Sequence, residues 1–138
     1  MPNRILRERI LKSGRVNKLS LPAEVFYRRL MSVIDDFGRF DAHPGILRAA
    51  CYPRRLDEVT DKDVRAWLGE CCRAADCDGV PLVVVYAVHG ESFLEVDDFR
   101  QQVRAKNSKY PDPPESAQQV LSTCLADATQ TCSTCEAV

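Results

Sequence analysis

At 138 residues the chain is sized for one domain with one buried core, and 45% hydrophobic and 28% charged residues are ordinary for a globular protein. No apolar run reaches the roughly 18 residues of a membrane span, and the basic start MPNRILRERILK lacks the unbroken apolar stretch of a secretory signal, so a cytoplasmic protein without a membrane partner is expected. The net charge of −1 conceals segregation: residues 1–30 carry eight Lys/Arg against two Glu, residues 61–99 three bases against nine acids, and residues 100–110 four bases and no acid, a pattern that suggests a polyanionic partner.

Residues 1–19 mix bases with Ile5, Leu6, Ile10, Leu11, Val16 and Leu19, and helix and extended chain are both open there, with Gly14 a break in either. Ser20 is placed to cap a helix over LPAEVFYRRLMSVIDDFG, with Pro22 tolerated in the first turn. That helix buries Phe26, Leu30, Val33, Ile34 and Phe37 and stops at Gly38. GRFDA leaves room for one short strand. Pro44 suits the first position of a short helix with Ile46, Leu47 and Ala50 as its apolar face, closed by Pro53.

Thr60 and Asp63 in TDKD have the capping-box spacing. Behind them Val64, Trp67, Leu68, Cys71, Cys72 and Ala75 form a continuous apolar stripe, and Asp78-Gly79 is the expected close. PLVVVYAV and ESFLEV, separated by His89-Gly90, predict a hairpin that pairs Val83 with Val96, Val85 with Leu94 and Tyr86 with Phe93. Val83, Val85, Leu94 and Val96 belong to its core face, while Val84, Tyr86, Phe93, Glu91 and Glu95 share a partly wet one. Residues 100–114 lose periodicity and end in prolines, as a basic arm leaving the domain would. Residues 115–138, rich in Ser, Thr, Ala and Gln, are expected to be a flexible tail or one loosely held helix.

Helix, short strand, two helices and hairpin is the element order of an α+β winged helix over residues 1–99, with the His89-Gly90 tip as the wing and the 60–76 helix in the recognition position. The pieces AEVFYRRLM, DDFGRFDAHP, LRAACYPRR, VTDKDVRAWL, VVVYAVHGESFLEV and NSKYPDPP, in that order and spacing over residues 13–114, resemble the N-terminal winged-helix domain of phage and prophage replisome-organiser (replication-initiation) proteins. The resemblance implies a part in DNA replication, with DNA binding and recruitment of replication proteins such as helicase-loading factors. It implies no catalysis, no cofactor and no small-molecule substrate.

The exposed positions of the 60–76 helix include Lys62, Arg65 and Arg73 but also Asp61, Asp63 and Glu70. Three bases and three acids cancel, so this helix is not expected to read base edges. Sequence-tolerant phosphate contact is expected instead from the flanking segments: Arg4, Arg7, Arg9, Lys12, Arg15 and Lys18 at one end, Arg100, Arg104, Lys106 and Lys109 at the other. Arg54 and Arg55, in the turn between the second and third helices, can approach the same backbone. The alternative is a protein-interaction adaptor that uses the wing and the acidic long helix and has little DNA affinity.

A third function, metal-dependent catalysis, would centre on Asp35, Asp36, Asp41 and His43. Adjacent Asp35 and Asp36 would project about 100° apart on a helix and do not easily share an ion. Cys132 and Cys135, with Cys124 eight residues before, make only half a zinc site. Seven cysteines, an odd count with Cys71 and Cys72 adjacent, speak for reduced thiols, and Cys71 and Cys72 suit the core as small apolar residues.

Overall fold

The computed structural model describes residues 4–97, 99, 101 and 106–114; Arg100, Arg104, Cys124, Cys132, Cys135 and the expected tail lie outside them. The fold is mixed α+β. Two single 3₁₀ turns, Glu8–Leu11 and Val16–Lys18, resolve the ambiguity of the first segment and flank the break at Gly14. Then follow α1 (Leu21–Val33), β1 (Arg39–Asp41), α2 (Pro44–Cys51), α3 (Asp61–Arg73), β2 (Val83–Val88) and β3 (Glu91–Val96), the order expected from the sequence.

Each helix starts where its cap residue dictates. The Ser20 hydroxyl accepts from the Ala23 N–H and Pro22 sits in the first turn of α1. His43 caps α2 through Nδ1, which accepts from the Gly45 N–H at 3.1 Å. Thr60 and Asp63 form the full capping box of α3: Thr60 Oγ1 accepts from the Asp63 N–H and Asp63 Oδ2 from the Thr60 N–H, both at 3.1 Å. Such caps satisfy amides that have no partner inside the helix.

The helix ends differ from the sequence expectation. α1 stops at Val33, not at Gly38, and α3 stops at Arg73, well before Asp78-Gly79. The same loop causes both. Asp35 Oδ1 accepts from the N–H groups of Phe37 and Arg39, at 3.0 and 2.9 Å, and Asp76 Oδ1 accepts from those of Asp78 and Val80, both at 3.0 Å. In each loop the residue three positions on, Gly38 or Gly79, donates its N–H back to the aspartate carbonyl at 3.0 Å, with φ at +81° and +78°. An aspartate that can bond its own backbone this way competes with the helix and wins. Phe37, expected on the helix, is therefore in a turn.

The sheet is antiparallel in the order β1-β3-β2. The hairpin register is the expected one, with Val83 opposite Val96, Val85 opposite Leu94 and Tyr86 opposite Phe93, and His89 and Gly90 both have positive φ, as a two-residue turn needs. Arg39, Phe40 and Asp41 pair with Glu95, Leu94 and Phe93. Phe26, Leu30, Leu47, Val64, Leu82, Val83 and Leu94 fill the core between the helices and this sheet. Trp67 closes one side of it, with ring centroids 6.3 Å from Phe26 and 5.7 Å from Tyr52.

Two expectations about the hairpin faces are overturned. Val85, assigned to the core, is 42% exposed. Tyr86 and Phe93, assigned to the wetter face, are buried because the chain returns to cover them. Tyr86 donates its hydroxyl to the Pro111 carbonyl at 2.7 Å. Tyr110 lies 6.0 Å from the Phe93 ring and 5.8 Å from Phe40. Arg39 binds Asp112 at 2.6 Å, and the Ser108 hydroxyl donates to Asp35. Residues 106–114 are thus a strap across the sheet, not part of an arm that leaves the domain.

A methyl group at either loop glycine forces a side chain into the left-handed region, at about 1–2 kcal/mol. At Gly38 a Cβ would also meet Phe99 Cβ at 3.1 Å and the Val96 carbonyl at 3.2 Å. Gly79→Ala is therefore expected to lower the urea-denaturation free energy by about 1–2 kcal/mol, and Gly38→Ala by more.

Candidate functional site

The stripe of α3 decides where its charges point. Val64 and Cys71 are fully buried and Leu68 nearly so. At 100° per residue, Lys62, Arg65, Ala66, Gly69 and Arg73 then fall within an arc of about 100° on the opposite side. Lys62, Arg65, Ala66 and Arg73 are exposed and Gly69 is half-buried.

The three acids of α3 lie on the flanks of that arc, and each already holds part of the fold. Asp61 faces Arg48 at 3.7 Å. Asp63 completes the capping box. Glu70 accepts from both the N–H and the hydroxyl of Ser20, at 3.0 and 2.9 Å, and so ties the start of α1 to α3. The bases have no such partner: none of Lys62, Arg65 and Arg73 pairs with a carboxylate among the described residues. The Arg73 guanidinium lies back over Gly69, where an added Cβ would stand 3.1 Å from it. Counting charges made this helix neutral; placing them makes its outward face basic.

The other sequence-predicted bases divide sharply. Arg54 and Arg55 are exposed in the turn after α2, and Arg55 pairs with Glu58 at 3.2 Å. Lys106 and Lys109 are exposed on the strap. Much of the N-terminal charge is spent on the fold. Arg4 binds Asp36 at 2.9 Å and the Ile34 carbonyl at 2.6 Å and stacks over Phe99 at 5.1 Å. Arg15 binds Asp97 at 2.7 Å and the carbonyls of Val80 and Pro81. Lys18 donates to the Ala75 carbonyl at 2.6 Å.

The acidic stretch around residue 35 is similarly used up. Asp35 builds its loop, Asp36 holds Arg4, Asp41 accepts from the His43 N–H at 2.8 Å, and His43 caps α2. Among the described residues no group of three or more His, Cys, Asp or Glu is arranged to hold a metal ion. No helix among them is long and apolar enough to cross a membrane.

A half-buried charged cluster sits at the strap, where Arg39 faces Glu95 at 3.5 Å and the exposed Asp112 at 2.6 Å. Burial raises the Glu95 carboxyl above the usual range, with Arg39 opposing the rise. Burial also pushes the Tyr86 hydroxyl up to about 12, again opposed by Arg39. This cluster fastens the strap.

Comparison of the chain with family models, with curated proteins and with solved structures gave no match.

Burial pushes the thiols of Cys51 and Cys71 up to about 12, so both stay protonated and unreactive at pH values where a free thiolate forms. In the folded protein at pH 8, iodoacetamide is expected to alkylate exposed Cys77 and to spare Cys51 and Cys71. In denaturant all three are expected to react, as peptide mass mapping would read out.

Proposed function

We propose that the chain is a winged-helix DNA-binding protein that acts by binding and positioning, without catalysis, and that α3 carries the principal contact. Support for the fold assignment comes from the element order, from the sheet order β1-β3-β2 and from the packing of β2 against α3. The observation that carries the function is the outer arc of α3: Lys62, Arg65 and Arg73, paired with no carboxylate among the described residues, around Ala66 and Gly69. Small residues let a helix backbone come close to a groove, and long cations at its edges reach phosphates. Arg54, at the turn before α3, extends the same contact, and Lys106 and Lys109 with Arg100 and Arg104 add to the phosphate attraction. The setting we propose is initiation of phage or prophage DNA replication, with a helicase-loading factor among the partners. Its support is the sequence resemblance.

The hairpin favours a second function, that of an adaptor. Between Val83 and Val96 it holds Glu91 and Glu95 and no Lys or Arg, and Val85 is exposed. Such a wing is poorly suited to phosphates and better suited to a protein surface.

Salt-titrated binding to short duplex and single-stranded DNA separates the two. The triple variant Lys62→Ala, Arg65→Ala, Arg73→Ala is expected to lose at least tenfold in affinity, and its slope of log affinity on log salt should fall by about 2–3, roughly one per phosphate contact removed. Neutralising Arg100, Arg104, Lys106 and Lys109 should cost less. A triple variant that binds like the parent would remove α3 from the interface. A parent chain not retained on DNA even at low salt would leave the adaptor.

A further inference from the structure

Gly69 is the poorest helix former in α3, because a glycine has the most backbone freedom to lose. Its backbone does not call for a glycine, since it is not among the residues with positive φ. Core packing does not call for one either. The three atoms nearest to a Cβ added there all belong to Arg73: Nη1 at 3.1 Å, Cζ and Nη2 at 3.8 Å. A helical side chain lies back over the turn before it, so a side chain at position 69 and the guanidinium of Arg73, four positions on, would use the same space. Glu70, at ion-pair spacing from Arg73, is turned instead to the Ser20 N–H and hydroxyl, at 3.0 and 2.9 Å.

We propose that Gly69 is a positioning residue: its missing side chain is the seat of the Arg73 guanidinium, and the seated fork takes one DNA phosphate through two N–H groups. The inference rests on the DNA-binding reading of α3 and adds how one of its cations is readied. Arg73 is exposed and pairs with no carboxylate among the described residues. A long side chain loose in water loses rotamer freedom when it binds. One already laid on the helix has lost part of that freedom in folding, so less is lost on contact. At 100° per residue Arg73 falls almost opposite the buried stripe, so its seat lies on the outermost part of the arc. Arg65 has no such seat, because Asp61 stands four positions before it.

The test is a double-mutant cycle of Gly69→Ala and Arg73→Ala in the full chain, read by fluorescence anisotropy with a fluorescein-labelled short duplex DNA at low salt. Gly69→Ala is expected to raise the urea midpoint, since alanine is the better helix former. It is nonetheless expected to lower DNA affinity about threefold, the scale of one side chain's ordering cost. Damage to the fold cannot produce that pair of results. In the Arg73→Ala background the same substitution should leave affinity unchanged. In the free protein, the NMR order parameter of the Arg73 Nε should exceed that of exposed Arg54 and fall to it in Gly69→Ala. An equal loss of affinity in both backgrounds would overturn the proposal, because the glycine would then act by letting the backbone approach the DNA. Unchanged affinity in Gly69→Ala, or an Arg73 Nε as mobile in the parent as that of Arg54, would overturn it too. With a parent chain that binds DNA, these outcomes leave the DNA-binding reading standing. A parent not retained on DNA, even with Arg73 held rigid, removes that reading and the phosphate contact together.

Discussion

Burial of Val64, Leu68 and Cys71 fixes the rotation of α3 about its own axis, and the distribution of charge over this face of the molecule follows from that single constraint. With the stripe held inward, Asp63 and Glu70 fall on one flank and Asp61 on the other. There they meet groups that need a negative partner: the Thr60 and Ser20 amides and the Arg48 guanidinium. Carboxylates near a helix start are also favoured by the helix dipole. The bases fall on the arc that faces water, where no carboxylate among the described residues answers them. A rotation of α3 by one residue would expose the stripe and would also pull Glu70 from Ser20, so core packing and polar bonding fix the same orientation.

A second constraint acts where helices give way to strands. Asp35 and Asp76 each cross-bond their own loop, with Gly38 and Gly79 supplying the positive φ. The first loop delivers Arg39 to the sheet edge, where it can reach both Glu95 and Asp112. It also presents Asp35 to Ser108. The strap is therefore anchored by residues that the Asp35 loop positions, together with the Tyr86 hydroxyl. With Tyr110 packed on Phe40 and Phe93, the far side of the hairpin becomes a second, smaller apolar layer.

What the sequence made legible was what depends on short range. The capping box at Thr60, the start at Pro44 and the hairpin register from Val83 to Val96 each rest on residues a few positions apart, and each is found as expected. Helix ends are less legible, because Gly38 and Gly79 look like helix stops while the aspartates three residues before them hold the decisive bonds. The repeated Asp-x-x-Gly spacing was visible in DDFG and DCDG and could have revealed them. The buried state of Tyr86 and Phe93 was not legible at all, since it depends on a segment about 20 residues further on. For the candidate site, Lys62, Arg65 and Arg73 stand out in the sequence only beside as many acids. A count of charges ignores angle, and projecting the same residues at 100° apiece separates the bases from the acids.

The segregation of charge along the chain is thus a poor guide to charge on the surface. The N-terminal segment is the most basic stretch, yet Arg4, Arg15 and Lys18 are held by carboxylates and carbonyls of the fold. What that segment leaves to solvent is Glu8 and Lys12 among the aliphatic side chains of Ile5, Leu6 and Leu11. α3, nearly neutral by count, leaves cations separated only by an alanine and a glycine. Small residues between cations reward a partner that must come close and brings anions, and a phosphate backbone in a groove does both.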